Sequence, residues 1–327
     1  MRRRDFVRLL AGAAIAAPCG AAAQKNAKTY RLGTLTIGPP ISPTGGIGAI
    51  LIAGLAKRGY TLGHNLAYEA RGAAGNVSQI ANLMQQLKTA NVDVVVTVGY
   101  PAAAAAKASG VATVIGTGSG DPVATGLVAS LARPGGTVTG ISDDAAALST
   151  KRLGLLKAMS PQLRKVAMLW NKDDLGMSQR YDASAKAARD IDVTVLPLGV
   201  REPDDFNEAF AAMDRTPPDA ILMVTDSLTL LNRKRVFDYA AAHHLPAIYE
   251  QDFIARDGGL MSYGADAGES FDRAAALAAR IFQGAKPADL PFEIPTRYLF
   301  VINLKTAKAM NLTVPNNVLA LADEVIE

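Results

Sequence analysis

The residues of this chain with a type and placement suited to chemistry cluster at four points where an apolar run breaks into a turn. In open α/β sheets small molecules bind beyond the carboxyl ends of the strands, so such points are where a site would form. The first is Ser42, with Pro43 and Thr44, in the loop after the first strand. It supplies a hydroxyl donor or is a plain flexible loop. The second is Thr97-Val98-Gly99-Tyr100-Pro101. Pro101 suits a first helical position, which makes Tyr100 an N-cap without capping chemistry. A helix start with free N–H groups is an anion seat. A solute carboxylate could end that helix while Tyr100 covers the solute's apolar part. The alternative is water capping and a tyrosine packed on a neighbouring loop.

The third point is "GTGSGDPV" (116–123), where Ser119 could donate a hydrogen bond and Asp121 reads as a turn or helix cap. Gly118 occupies the serine position of a nucleophile elbow, so the segment is no such elbow, and it lacks the context of a dinucleotide loop. The fourth is Asp226-Ser227, with Asn171 on the neighbouring strand end. Asp226 could pair with an ammonium, or one of the two residues caps the following helix. Glu250 and Tyr263 lie near the same region. No nucleophile is paired with a base. His64, His243 and His244 lack a third partner at zinc-like spacing, so neither a metal nor a cofactor is expected. Trp170 ends an apolar strand and reads as core.

The elements that must position these residues alternate strand and helix. Strands are expected at Tyr30–Thr36, Leu66–Ala70, Val92–Val98 and Val111–Ile115, with helices at 48–58 and 77–89. A second series places strands at 165–170, 193–198, 220–224, 247–249 and 259–262. Its helices fall at 150–159, 177–189, 204–213 and 228–242, and a long helical stretch at 262–284 follows. Residues 291–295 are expected to be extended, and 299–310 to be a strand entering a helix. Apolar strands alternating with helices predict parallel α/β sheets. Segments 76–101 and 202–227 echo each other, with Asp93 and Asp219 at the same place before a strand. That points to two similar lobes.

The chain has 327 residues, 49% of them hydrophobic, enough to bury two cores. Its net charge of +4 is concentrated at the start. Four of 34 Lys and Arg and one of 30 Asp and Glu fall in residues 1–23, which leaves a nearly neutral remainder and no electrostatic case for nucleic acid. Arg3-Arg4-Asp5-Phe6-Val7-Arg8, an apolar run from Leu9 to Ala17 and Ala21-Ala22-Ala23 form the pattern of a twin-arginine-like export signal cleaved near Ala23. Cys19, the only cysteine, lies inside it, and Pro18 before it argues against a lipid anchor. No later run is long enough to span a membrane, so no membrane insertion is expected after cleavage.

Several long segments carry a family resemblance. "GDPVATGLVASLARPGGTVTGIS" (120–142), "DGGLMSYGADAGESFDRAA" (257–275), "GAKPADLPFEIPTRYLFVINLKTAKAMNL" (284–312) and "ADEVIE" (322–327) resemble a family of ABC-transporter substrate-binding proteins that includes tryptophan- and tyrosine-binding members. The resemblance implies a type I periplasmic-binding fold: α/β, with two doubly wound parallel-sheet lobes joined by hinge crossovers. Lobe 1 would hold 28–142 and about 264–290, and lobe 2 would hold 150–262 and about 298–327. It implies a periplasmic, monomeric receptor with no enzymatic activity. Such a receptor captures an amino acid or aromatic acid between its lobes by hinge closure and passes it to a permease and ATPase. An exported sensor subunit or an exported α/β enzyme are the alternatives. The chain departs from the family near the expected pocket: "IGPPISPTGGIG" (37–48) is rich in Gly and Pro, "TDSLTL" (225–230) differs from the commoner forms, and Tyr100 stands where a small residue is common.

Overall fold

Two sheets organise the molecule. The computed structural model describes residues 28–142 and 144–327, and the expected export signal at 1–23 lies outside the described residues. The first sheet contains β1 (Tyr30–Thr36), β2 (Leu66–Gly72), β3 (Val94–Val98), β4 (Thr113–Thr117) and β5 (Val138–Gly140), in the order β2-β1-β3-β4-β5. The second contains β6 (Lys165–Asn171), β7 (Thr194–Val200), β8 (Ala220–Met223), β9 (Ala247–Tyr249), β10 (Met261–Ala265), β11 (Tyr298–Asn303) and β12 (Glu324–Ile326). Its order is β12-β11-β10-β9-β8-β6-β7. Every pairing is parallel except β10 with β11. That one is antiparallel because β11 enters the second sheet from the end at which β10 leaves it.

β3 is a run of Val-Val-Val-Thr-Val covered on both faces, the pattern of a central parallel strand. The helix Ile80–Thr89 buries Ile80, Met84 and Leu87 at 3–4 spacing. The helix Ala267–Phe282 crosses back to the first sheet. Its Asp266 N-cap accepts the N–H groups of Gly268 and Glu269, and its Phe271, Ala274, Ala275, Ala278 and Phe282 enter the core that Leu51 and Leu55 share with Val94 and Val96.

The echo between the two series has a physical cause. Asp93 Oδ2 accepts the Arg31 N–H at the start of β1, and Asp219 Oδ2 accepts the N–H groups of Arg164 and Lys165 at the start of β6. Each aspartate ties the beginning of its own strand's segment to the neighbouring central strand.

The helix expected at 150–159 begins at Ala145, and three further differences lie near the site. Residues 262–265 belong to β10, so the helical stretch begins at Ala267. The helix expected over 228–242 is two, Ser227–Leu231 and Arg233–Ala242, with Asn232 between them at φ −99° and ψ 6°. The helix after β3 starts at Tyr100 rather than Pro101. Its N-cap is Gly99, at φ 89° and ψ 153°, and Pro101 is the second helical residue. A side chain at Gly99 would be strained at that φ, so glycine makes the tight exit from β3.

The chain passes between the sheets after Ser142, at 265–267 and at 293–298. The passages are tied together: Ser142 N–H donates to Glu293 O, and Asp266 N–H donates to Arg297 O.

Candidate functional site

The carboxyl ends of β1, β3 and β4 face those of β6, β8, β9 and β10 across a cleft of about 250 Å³. From the first sheet come Thr36 to Pro39, Ile41, Ile47, Val98, Gly99, Thr117 and Gly118. From the second come Asp174, Met177, Arg180, Thr225 to Ser227, Leu230, Gln251 and Phe253. Ala265, Ala267, Ser270 and Phe271 close it at the crossover. The walls are mostly apolar, with a few polar groups, the composition of a small-molecule site.

Of the residues expected at the site, Gly99, Asp226 and Ser227 line the cleft. Gly99 donates its N–H to Thr117 O and leaves the first turn of the next helix without a side-chain cap. The N–H groups of Tyr100 and Ala102 have no intrahelical partner there. Asp226 caps the helix Ser227–Leu231: Oδ1 accepts the Thr229 N–H at 2.9 Å, and Oδ2 accepts from Asn171 Nδ2 at 2.7 Å. Both its oxygens are therefore engaged by the fold. Asn171 is buried behind Asp226 rather than in the lining.

The others sit elsewhere. Thr97 is fully buried within the first lobe, and Pro101 lies in the helix turn. Ser42 is exposed, and its Oγ accepts the Thr44 N–H within its own loop. Tyr100 packs in a cluster with Ala103, Ile115, Leu127 and Phe292, away from the lining residues. The residue of this turn that lines the cleft is Gly99, and the expected place of the ring over a solute has no counterpart in the lining. Tyr100→Ala is expected to cost about 1–2 kcal/mol of unliganded stability in urea unfolding, from the lost apolar burial. Affinity for any cleft solute should change little.

Glu250 and Tyr263 belong to a buried charge cluster under the cleft floor. Glu250 Oε1 accepts from Arg152 at 2.9 Å, and Oε2 accepts from Arg180 at 2.5 Å and from the Thr225 N–H at 2.9 Å. Side-chain exposures are 2% for Glu250, 4% for Arg152 and 5% for Arg180. Burial pushes the Glu250 carboxyl up, but the two guanidiniums and the Thr225 N–H together hold it below the usual carboxylate range. Arg152 Nε also donates to Tyr263 O in β10. The cluster thereby fixes Arg180 and Thr225, which do line the cleft.

The sequence reading missed Asp174. It follows β6 by three residues and is the N-cap of the helix Leu175–Arg189, accepting the Met177 N–H at 3.2 Å on Oδ1. The residue is 2% exposed, and its Oδ2 has no hydrogen-bond partner among the described residues. Burial, then the charge of Asp226, push its carboxyl up to about 7, against the N–H groups of Met177 and Gly176 and the charge of Arg180. A strand end followed by an N-cap aspartate was the available signal.

The lobes touch beside Asp174. A Cβ built on Gly120 would lie 2.7 Å from Gly176 Cα, and one on Gly176 would lie 2.8 Å from Ser119 O. Ser119 is thus a backbone contact between the lobes, with its Oγ donating to Gly120 O. Among the described residues no group of three or more His, Cys, Asp and Glu could hold a metal, and no helix is long and apolar enough to cross a membrane.

A family model described as ABC transporter substrate binding protein matches residues 47–326. A tyrosine-binding protein of Clostridioides difficile (strain R20291) is 25% identical over 262 residues, 80% of this chain and 75% of the relative. Among solved structures, an ABC domain from Streptococcus pneumonia in complex with L-Trp superposes with a TM-score of 0.83 at 24% identity, covering 91% of this chain and 100% of that one. A ligand-free, open substrate binding protein with adhesive properties from Clostridium difficile has a TM-score of 0.63 at 20% identity, covering 91% and 99%.

Proposed function

Because this chain belongs to the ABC transporter substrate-binding protein family, we propose that it is the exported solute-binding component of an importer. It captures an amino acid or aromatic acid between its two lobes and delivers it to a permease and ATPase. The family is one of solute-binding proteins rather than enzymes, and no turnover is expected.

The observation that carries this reading is the cleft itself. Its volume of about 250 Å³ suits a small organic molecule, and Ile37, Ile41, Met177, Leu230, Phe253 and Phe271 give it apolar walls. The names of the relatives, a tyrosine-binding protein and an L-Trp complex, support an aromatic amino acid. The uncapped helix start at Tyr100, next to the lining residue Gly99, offers a seat for the solute carboxylate. The three adjacent passages between the sheets are the hinge about which the lobes close. Export rests on the arginine-rich signal pattern of residues 1–23. On this reading the mature chain acts in the periplasm, as a monomer that needs no cofactor.

Thermal unfolding of the protein without residues 1–23, against a panel of L-amino acids and aromatic acids, tests the reading. A true ligand at a hundred times its Kd stabilises by about 2.7 kcal/mol and raises Tm by several degrees. A panel in which no member raises Tm would contradict solute capture.

A further inference from the structure

Asp174 is a carboxylate of the cleft that the fold leaves incomplete, and Thr225 Oγ1 in the same lining also lacks a partner among the described residues. Asp174 lines the cleft, it is 2% exposed, and its Oδ2 meets no donor among the described residues. Its neighbour is different: Asp226 has Oδ1 on Thr229 and Oδ2 on Asn171. A buried carboxylate oxygen without a donor is costly, and such groups mark places where a partner is expected.

The charged surroundings define that partner. Asp226 faces Asp174 as a like charge. Arg180, on the same helix as the Asp174 cap, attracts it but donates to Glu250, which also takes Arg152. Asp173 is turned to Arg201 at the surface. The facing backbone of the first lobe, from Thr117 to Gly120, carries no charge. Two carboxylates at an apolar cleft call for a positive group with several donors.

Resting on the reading that the cleft holds a solute, we infer that Asp174 takes the solute's protonated amine and so restricts the substrate class to ammonium-bearing solutes. Amino acids are admitted and amine-free aromatic acids are refused. An ammonium has three donors, enough for Asp174 Oδ2 with others left for nearby oxygens. The solute body then lies along Met177, Leu230 and Phe253.

Binding is also coupled to a proton. Burial and the facing Asp226 push the unliganded Asp174 carboxyl up to about 7, so it holds a proton more readily than an ordinary aspartate. The ammonium requires the ionised form, so that proton leaves to solvent while the amine keeps its own. The unliganded pKa lies above that of the complex. Affinity therefore rises as pH increases through neutrality.

Titration calorimetry tests this with the proteinogenic L-amino acids and with the matching carboxylic acids that lack the amine, on the wild-type protein and on Asp174→Asn. Asparagine keeps the helix cap, and Asp174→Ser keeps it by another side chain should the first variant fold poorly. The expected results are binding of amine-bearing solutes alone, a loss of about thirtyfold or more in Asp174→Asn, and a pH dependence present in wild type and absent in the variant. An amine-free acid that binds as tightly as its amino counterpart, or unchanged affinity in folded Asp174→Asn, overturns the inference and leaves solute capture standing. If no panel member binds the wild type, the inference falls together with the reading it rests on.

Discussion

Glu250→Ala is expected to lower the unfolding free energy by about 3–5 kcal/mol. Glu250 is the acceptor that joins Arg152 to Arg180, and all three are almost completely buried. Removing it leaves two guanidiniums in the interior of the second lobe without their shared carboxylate. The buried site hydrates the guanidiniums poorly, so hydration offsets only part of the lost attraction. The same substitution removes the acceptor of the Thr225 N–H and one of the contacts that hold Arg180 in the cleft wall. Urea unfolding measures the loss, and Glu250→Gln, which keeps the shape without the charge, should fall between. By contrast, breaking the Arg201–Asp173 pair, 60% and 62% exposed, should change stability by less than about 1 kcal/mol. The pH dependence has a definite sign. The folded pKa of Glu250 lies below its unfolded value, so its stabilisation is complete above the ordinary glutamate range. It is lost as pH falls below that range, and Glu250→Ala should show a weaker acid dependence than wild type. A variant as stable as the wild type would mean that the cluster does not hold the lobe together.

Gly176→Ala is expected to weaken solute binding by about tenfold or more while leaving the unliganded protein as stable as before. Gly176 lies in the first turn of the helix Leu175–Arg189, where alanine is the better helix former by up to about 1 kcal/mol. Within its own lobe the change is therefore harmless. Across the cleft it is not, because the new Cβ would stand 2.8 Å from Ser119 O and 2.9 Å from Ser119 C. Backbone atoms cannot rotate aside as a side chain can. The lobes must separate by a few tenths of an ångström or more, which holds the cleft open beside Asp174. Calorimetric affinity and Tm, measured together, separate this from a folding defect. Unchanged affinity would show that capture does not need the lobes to meet at this point.

Much of the architecture was legible because parallel strands are short, apolar and buried on both faces. Val94–Val98 and Lys165–Asn171 stand out on that ground alone. The repeat signalled by Asp93 and Asp219 reflects the same backbone anchoring in each lobe. Legibility failed where local sequence permits two states. Residues 262–265 continue into a helix-forming run, and only pairing with β9 and β11 makes them a strand. The strands Val138–Gly140 and Glu324–Ile326 are too short to announce themselves.

Of the residues expected at the site, Gly99 follows β3 directly and Asp226 and Ser227 follow β8 by three and four residues, and all three line the cleft. Tyr100 was misread by one residue of helix register, since Gly99 can leave β3 at a φ that other residues avoid. Asp174 was invisible as a site residue because an aspartate before a helix reads as a cap. Oδ1 does serve as that cap, and only burial reveals what Oδ2 lacks. Glu250 depends on Arg152 and Arg180, whose separations of 98 and 70 residues leave no local pattern.

The most direct measurement is a crystal structure of the protein with the solute that raises Tm most. The account predicts electron density between the lobes, with the carboxylate at the helix start after Gly99 and the amine against Asp174. Density outside the cleft, for example in the shallow recess beside Lys172 and Pro197, with the space between the lobes filled by solvent alone, would contradict it.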